Sequence, residues 1–192
     1  EQAAAVAAVL LTENMERCNV IGHSMGGYVA LALAEKRQDL IEGLVLFHST
    51  AFPDSEDRKN DRERVIGLVQ RGKRIYINAV IPSLFAEESR NDLKPEIDRL
   101  MEIANGFSDQ GIIANIRGMM ERKDRIEGLK NGVFKKMIVH GELDTVISID
   151  DAKNMAALDR NIQLEVVENI SHMGHLEAPE KCFELIYNFC KN

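Results

Sequence analysis

The chain has 192 residues, of which 45% are hydrophobic and 29% charged, a composition typical of one globular domain with a sizeable core. Its 24 basic and 31 acidic side chains leave a formal net charge of −7, and no block of lysine and arginine suggests a nucleic-acid partner. No stretch is long enough to span a membrane. The three scattered cysteines predict neither a disulfide framework nor a metal site, and buried free thiols are typical of a cytoplasmic protein.

The first fifty residues predict a strand, a helix and a second strand behind an opening helix. Residues 1–17 have apolar side chains near helical spacing, and a short apolar strand follows at 18–21. Small apolar residues predict a helix over 25–37, and the continuous apolar run 43–47 predicts a buried strand. Strand, helix and strand in this order imply a right-handed crossover in a parallel sheet.

The composition changes after residue 50. Charges of both signs are dense over residues 54–64, and no strand-like run occurs until residue 137. The intervening helical patterns lie at residues 65–69, 75–81, 97–104 and 112–120. We therefore predict a helical insertion over residues 51–132 between two parts of an α/β core, residues 1–50 and 133–192.

The last sixty residues return to alternating strands and helices. Strands are predicted at 136–140 and 163–167, with a helix over 148–158 between them. A loop over 171–179 leads into a final helix that begins at Pro179 and ends near residue 190. The predicted fold class is α/β, a parallel sheet with flanking helices.

The turn between the first strand and the next helix contains the pattern Gly22-x-Ser24-x-Gly26. In this context the pattern indicates a nucleophile elbow, a strained turn that exposes the serine hydroxyl above the sheet. Side chains on either side of the serine are expected to collide, which would require glycine at Gly22 and Gly26. The backbone N–H of Met25, at the start of the helix, is a candidate oxyanion donor.

A nucleophilic serine needs a histidine base and a carboxylate that orients the histidine. Parallel sheets carry such groups beyond the carboxyl ends of their strands, in the order serine, acid, histidine. After the third predicted strand the candidate acids are Asp144, Glu142 and, less directly, Asp150. After the fourth strand the candidate bases are His172 and His175.

Three segments carry a family resemblance. The run Gly22-His23-Ser24-Met25-Gly26-Gly27 resembles the elbow of α/β-hydrolases, in their esterase-like branch. Gly141-Glu142-Leu143-Asp144 is similar to the Gly-x-x-Asp of that family, although Thr145 and Val146 stand where a proline is common. The third segment fits the family pattern of His, four residues, Glu, x, Pro when His172 is its histidine, with Ser171 replacing a common glycine.

The resemblance implies a catalytic triad of Ser24, Asp144 and His172. It also implies that the insertion over residues 51–132 is a cap, whose apolar residues are candidates for an acyl pocket: Leu84, Phe85, Met101, Phe107, Met119 and Met120. Further candidates for substrate contact are His23, His48 and His175, whereas His140 is expected to lie in the core. No close ligand spacing joins the histidines, so no metal site is predicted.

The resemblance predicts a cofactor-independent serine hydrolase that cleaves a small-molecule ester or related acyl compound. Alternatives on the same triad are a carbon–carbon bond hydrolase, a lyase or a perhydrolase, and a ligand-binding protein without turnover is a further alternative. In the family, several strands and a loop with a second oxyanion donor precede the opening helix. We therefore expect the sequence to be the C-terminal portion of a longer protein, and whether it acts alone stays open. The oligomeric state stays open. A homo-oligomer is possible because the first strand would be an unpaired sheet edge, which can pair with another chain.

Overall fold

The computed structural model describes residues 1–191. The chain divides into two compact units: one contains residues 1–52 and the chain from residue 124 onward, and the other contains residues 53–123. In the part of the chain described, the α-helices are α1 (Gln2–Thr12), α2 (Met25–Lys36), α3 (Glu56–Ser83), α4 (Lys94–Gly106), α5 (Asp109–Met120), α6 (Ile126–Asn131), α7 (Ile149–Ala156), α8 (Gly174–Glu177) and α9 (Pro179–Lys191), and short 3₁₀ helices lie at Gln38–Leu40 and Glu87–Ser89.

The first unit is built on a parallel sheet. Its strands within residues 1–191 are β1 (Cys18–His23), β2 (Ile41–Phe47), β3 (Lys135–Gly141) and β4 (Ile162–Val167), hydrogen-bonded in that order. The predicted parallel α/β sheet is therefore confirmed. Because the strands are parallel, the loops that follow them all leave from the same edge of the sheet.

Both faces of β2 are buried over residues 43–47, which explains the unbroken apolar run there. Leu44 and Ile138 belong to a cluster on one face, together with apolar residues of α1, α2, α6 and α7. Val45 and Met137 belong to a cluster on the other face, which α9 covers with Phe189. A strand that packs on both sides gains from apolar side chains at every position.

The opening helix α1 ends earlier than the predicted residue 17. Asn14 has φ 55°, the left-handed conformation that often terminates a helix. The N–H of Met15 donates to the carbonyl of Leu10 at 2.9 Å, and the N–H of Asn14 donates to that of Leu11 at 3.1 Å. These two bonds form a Schellman motif, and the chain leaves the helix there to enter β1.

The second unit is helical and contains α3, α4 and α5. Its small apolar cluster comprises Ile66, Val69 and Ile116, with Met119 and Met120 packed against it. The carboxylate of Asp54, 1% exposed, pairs with the guanidinium groups of Arg62 at 2.6 Å and Arg122 at 2.7 Å.

The boundaries of this unit differ from the predicted insertion, residues 51–132. Helix α6 belongs to the sheet unit, because its Leu129 is 1% exposed and lies in the cluster that contains Ile138. The sequence of α6 is only six residues long and did not indicate with which of the two units it packs. That the helical unit is a cap over the serine stays a prediction.

Candidate active site

The elbow serine lies in a strained backbone conformation that β2 supports. Ser24 has φ 51° and ψ −119° between β1 and α2. Its N–H donates to the carbonyl of Phe47 at 2.9 Å, and the hydroxyl of Ser49 donates to the Ser24 carbonyl at 2.7 Å. Residues held in such rarely populated regions cost about 1–3 kcal/mol each and persist only where neighbours fix them.

The glycines of the elbow have different roles. A Cβ at Gly22 would lie 2.6 Å from the Cα of Gly27, so glycine is required there as predicted. At Gly26 a Cβ would meet nothing within 4 Å, and the predicted steric requirement at this position is wrong. The second required glycine is Gly27, where a Cβ would overlap the side chain of Ser49. The crowding at Gly27 comes from Ser49, two residues after the end of β2, which the local pattern does not encode.

Three predicted side chains meet at the carboxyl edge of the sheet. The hydroxyl of Ser24 lies 2.8 Å from Nε2 of His172, and Nδ1 of His172 lies 2.8 Å from Oδ2 of Asp144. His172 and Asp144 are buried, at 2% and 9% exposure. The geometry thus brings together Ser24, Asp144 and His172, each contributed by a loop after a different strand.

The competing acids lie elsewhere. Glu142 accepts the N–H of Asn169 at 3.1 Å, and Asp150 lies in the first turn of α7. By contrast, Oδ1 of Asp144 accepts the N–H groups of Val146 at 2.8 Å and Ile147 at 3.0 Å, which fixes the turn after β3.

Asp144 is held in its ionised form despite its burial. Burial alone would raise the pKa of this carboxyl group, but hydrogen bonds from His172 and His48 outweigh it and hold the pKa far below its usual range. An ionised carboxylate only accepts hydrogen bonds, so Nδ1 of His172 carries a proton. Neutral His172 then has an unprotonated Nε2 facing the hydroxyl of Ser24, the state that a general base requires.

Met25 is the first residue of α2. Its N–H belongs to the group of amides that a helix leaves without an intrahelical acceptor. Its role as oxyanion donor stays a prediction.

His23 joins the elbow to the loop that carries His172. Its Nε2 lies 2.8 Å from the carbonyl oxygen of His172, and because a carbonyl only accepts, His23 is the donor. Burial lowers the pKa of His23 to about 4, so the ring is neutral near pH 7. The ring of His175 lies 4.9 Å from that of His23, and burial also lowers the pKa of His175.

His48 differs most from its predicted role as a pocket residue. Its side chain is 0% exposed, and its Nδ1 lies 3.0 Å from Oδ2 of Asp144. The backbone turns at this residue, with φ 48° directly after β2. His48 is therefore buried beside the acid, where it has no access to a substrate. The only signal in the sequence was a polar residue directly after a buried strand.

His140 is buried at the end of β3, as expected. Neither ring nitrogen has a hydrogen-bond partner within residues 1–191, and burial lowers the pKa of this histidine to about 4. His48, His140 and Asp144 each offer one atom that could ligate a metal, and these three atoms lie within 4.8 Å of one another. A transition metal accepts such donors, but binding one would compete with the hydrogen bonds on Asp144.

Two of the residues predicted for an acyl pocket, Met119 and Met120, are half-buried in the helical unit, where both pack against the cluster of Ile66, Val69 and Ile116. Two others differ in exposure, since Phe85 is 1% and Phe107 58% exposed. Within the sheet unit, a groove of about 610 Å³ lies at the opposite edge of the sheet from Ser24. It is lined near the amino ends of β3 and β4 by Phe134, Lys136, Gln163 and others, and by no residue of the triad.

A parallel sheet that carries a serine elbow, a carboxylate and a histidine in this chain order defines the α/β-hydrolase class. The chain belongs to the alpha/beta hydrolase fold family, whose model matches residues 1–179. No helix of residues 1–191 is long and apolar enough to cross a membrane.

Individual relatives support the same family. The chain is 28% identical over 137 residues to RutD of Yersinia enterocolitica, named as a candidate carbamate hydrolase, and this match covers 70% of the chain and 46% of the relative. It is 26% identical over 184 residues to a 3-oxoadipate enol-lactonase of Acinetobacter baylyi, covering 93% and 66%. Among solved structures, a thermophilic esterase from Thermogutta terrifontis superposes with a TM-score of 0.91 at 27% identity, covering 98% of this chain and 70% of that one. The chain thus spans about half to two thirds of the length of these curated relatives.

Proposed function

We propose that the chain carries the catalytic machinery of a serine hydrolase, which cleaves a carboxylic ester or related acyl compound through an acyl-enzyme. The observation that supports this proposal is the continuous relay from the Ser24 hydroxyl through His172 to Asp144, with both links at 2.8 Å. Membership of the hydrolase-fold family and relatives named for esterase, lactonase and carbamate chemistry agree with it.

In the first half-reaction, Oγ of Ser24 attacks the substrate carbonyl carbon while its proton passes to Nε2 of His172. Asp144 stays ionised and stabilises the imidazolium that forms. The tetrahedral intermediate carries its negative charge on the former carbonyl oxygen, and we assign the N–H of Met25 as a donor to that oxygen. His172 then returns its proton to the leaving alcohol, and the acyl group stays on Ser24.

In the second half-reaction, His172 takes a proton from a water molecule, whose oxygen attacks the acyl carbon. Collapse of the second tetrahedral intermediate gives the carboxylic acid and returns the proton to Ser24. No cofactor is needed, because every proton is exchanged between substrate, water and the relay. One oxyanion donor contributes on the order of 3 kcal/mol to transition-state stabilisation, so Met25 supplies only part of what such enzymes use.

We also propose that the helical unit, residues 53–123, acts as a cap that selects the acyl group. It is compact, and it enters the chain directly after β2, one connection beyond the elbow. Met119 and Met120 are the residues of this unit that we assign to acyl selection. The free thiols of Cys18, Cys182 and Cys190 suit a reducing compartment, which favours a cytoplasmic enzyme.

A fluorophosphonate probe tests the serine assignment, because it phosphonylates an activated serine and leaves ordinary hydroxyls unmodified. We expect one adduct, located on Ser24 by peptide mass mapping. Ser24→Ala should abolish labelling, whereas Ser83→Ala is the matched control, since this exposed hydroxyl only bonds the carbonyl of Val80. An unlabelled wild-type chain, or a label on another serine, contradicts the proposal.

A substrate panel separates the chemical alternatives. Turnover of p-nitrophenyl esters with graded acyl length supports an esterase, whereas cleavage of a vinylogous diketone without ester turnover supports a carbon–carbon bond hydrolase. The latter alternative is favoured by one relative, a 2-hydroxymuconate semialdehyde hydrolase from Pseudomonas putida, at 23% identity. If Ser24→Ala and wild type bind a ligand equally and neither turns it over, the chain is a binding protein.

A further inference from the structure

We propose that His48 is a positioning residue for the proposed reaction, which acts by fixing Oδ2 of the Asp144 carboxylate. This inference rests on the proposed serine hydrolase function. It assigns a second histidine to the acid of the relay, so that Asp144 lies between two imidazoles instead of facing one.

The hydrogen bonds of Asp144 support this role. A carboxylate has about four acceptor positions. Oδ1 accepts from two backbone amides of the turn after β3, and Oδ2 accepts from His172 at 2.8 Å and from His48 at 3.0 Å. With four donors the carboxylate has no free direction in which to rotate. His48 provides the fourth, so its loss would leave Oδ2 held only by the histidine that must move protons.

The protonation state of His48 follows from its surroundings. Ionised Asp144 only accepts, so Nδ1 of His48 carries the proton and donates it. Burial lowers the pKa of His48, so the ring is neutral and its Nε2 carries no proton. This Nε2 has no hydrogen-bond partner within residues 1–191. A neutral donor places Asp144 without adding a second positive charge, which would compete with the imidazolium form of His172.

The chain encloses His48 on two sides with glycine. A Cβ at Gly174, two residues after His172, would lie 2.5 Å from Nε2 of His48. A Cβ at Gly141, at the end of β3, would lie 3.0 Å from Cε1 of the same ring. The ring is therefore wedged between the turn that carries Asp144 and the loop that carries His172. The left-handed backbone of His48 turns the side chain into this space, and histidine and asparagine tolerate that conformation better than most residues.

The first test uses the wild-type protein and needs no activity. Proton–nitrogen NMR on histidine-labelled protein distinguishes the two neutral tautomers of each ring. We expect His48 to be neutral near pH 7, with its proton on Nδ1, and its signals are assigned by their loss in His48→Asn. A proton on Nε2, or on both nitrogens, overturns the inference.

The second test compares two variants of similar shape. Asparagine keeps an N–H donor near the position of Nδ1 and tolerates the left-handed backbone, whereas leucine offers no donor. We expect His48→Leu to lower kcat and the rate of phosphonylation of Ser24 by about tenfold or more, since misplacement of a catalytic group has effects of this size. KM should stay within about twofold, because His48 does not reach the substrate, and His48→Asn should recover most of the rate.

The outcomes separate this inference from the proposed function. If wild type is not labelled at Ser24, the hydrolase proposal fails, and with it the assigned role of His48. If wild type is labelled and His48→Leu reacts at the same rate, only the role of His48 fails. Equal losses in the asparagine and leucine variants also refute it, since they indicate that the ring merely fills space. Urea unfolding of both variants reports whether each is folded. If the leucine variant is unfolded, the inference is tested by the tautomer of His48 in the wild type and by the reaction rate of the asparagine variant.

Discussion

The substitution Asp144→Asn tests the logic of the relay, because it keeps the shape of the acid and exchanges one oxygen for an NH₂ group. The four donors around Asp144 differ in one respect. The amides of Val146 and Ile147 always donate, whereas the imidazoles of His172 and His48 can move a proton between their nitrogens. The new amide is therefore expected to keep its oxygen on the backbone side and to turn its nitrogen toward the histidines.

This arrangement determines the expected loss of stability. Both imidazoles must accept through Nδ1 and carry their proton on Nε2. For His172 the new Nε2–H faces the oxygen of Ser24, which can accept it, but Nε2 of His48 is buried without a partner among residues 1–191. One buried unsatisfied N–H costs about 1–3 kcal/mol, which is the expected decrease in the free energy of unfolding.

The loss of activity is expected to be much larger. With its proton on Nε2, His172 no longer has a lone pair that faces the Ser24 hydroxyl. Substitutions that impose the wrong tautomer in this way lower the rate by about 10⁴ in serine proteases. We expect a comparable decrease in the rate at which a fluorophosphonate labels Ser24 near pH 7, measured beside urea unfolding of the same protein.

Asp144→Ala is the matched comparison. Alanine accepts none of the four hydrogen bonds, so the free energy of unfolding should fall by about 4 kcal/mol or more, close to the full stability of many domains. The reasoning is refuted if Asp144→Asn labels within tenfold of wild type, or if the alanine variant is as stable as the asparagine variant.

Three further predictions concern stability, each measured by urea unfolding. Gly27→Ala should decrease the free energy of unfolding by about 1–3 kcal/mol, because the new Cβ overlaps Ser49. Gly26→Ala has open space in α2 and should increase the free energy of unfolding by up to ~1 kcal/mol. Equal effects of the two substitutions would contradict the conclusion that only Gly27 is crowded. His140 has its pKa lowered to about 4, so the unfolded chain binds a proton that the folded chain does not, and stability falls as the pH drops from about 6.5 toward 4. His140→Leu should remove about 2 kcal/mol of this pH-dependent loss of stability. If the free energy of unfolding of the variant depends on pH as strongly as that of the wild type, the prediction is contradicted. Asp54→Ala leaves two arginines without their buried partner and should destabilise the helical unit by about 3–5 kcal/mol; a loss below 1 kcal/mol would show that solvent replaces the pair.

Much of this architecture could be predicted from the sequence, because its signals are local. Apolar runs of strand length, each followed by a polar turn, identified the four strands, and the helices between strands indicated that the sheet is parallel. Once the strands are parallel, residues after their carboxyl ends lie close together, which narrowed the candidates to a few acids and two histidines. The family resemblance then selected Asp144 and His172 as the partners of Ser24. The motif of glycine, serine and glycine indicated the turn, although not which glycines are crowded.

The features that could not be predicted depend on contacts between distant residues. Gly27 is required because of Ser49, and α6 packs with the sheet because Leu129 finds a place in its core. His48 was expected at a pocket because the sequence does not reveal that its backbone is left-handed. In each case the sequence gives the residue itself but not the distant residue that it contacts in the fold.

The four hydrogen bonds on Asp144 also have a consequence for folding. Their donors lie at positions 48, 146, 147 and 172, so β2, β3 and the loop after β4 must all be in place before the carboxylate is fully bound. Fraying of any one of them releases the acid, and the amide hydrogens of Val146 and Ile147 then exchange with solvent. Catalytic competence should therefore disappear together with the protection of these two amides, earlier than the sheet itself unfolds.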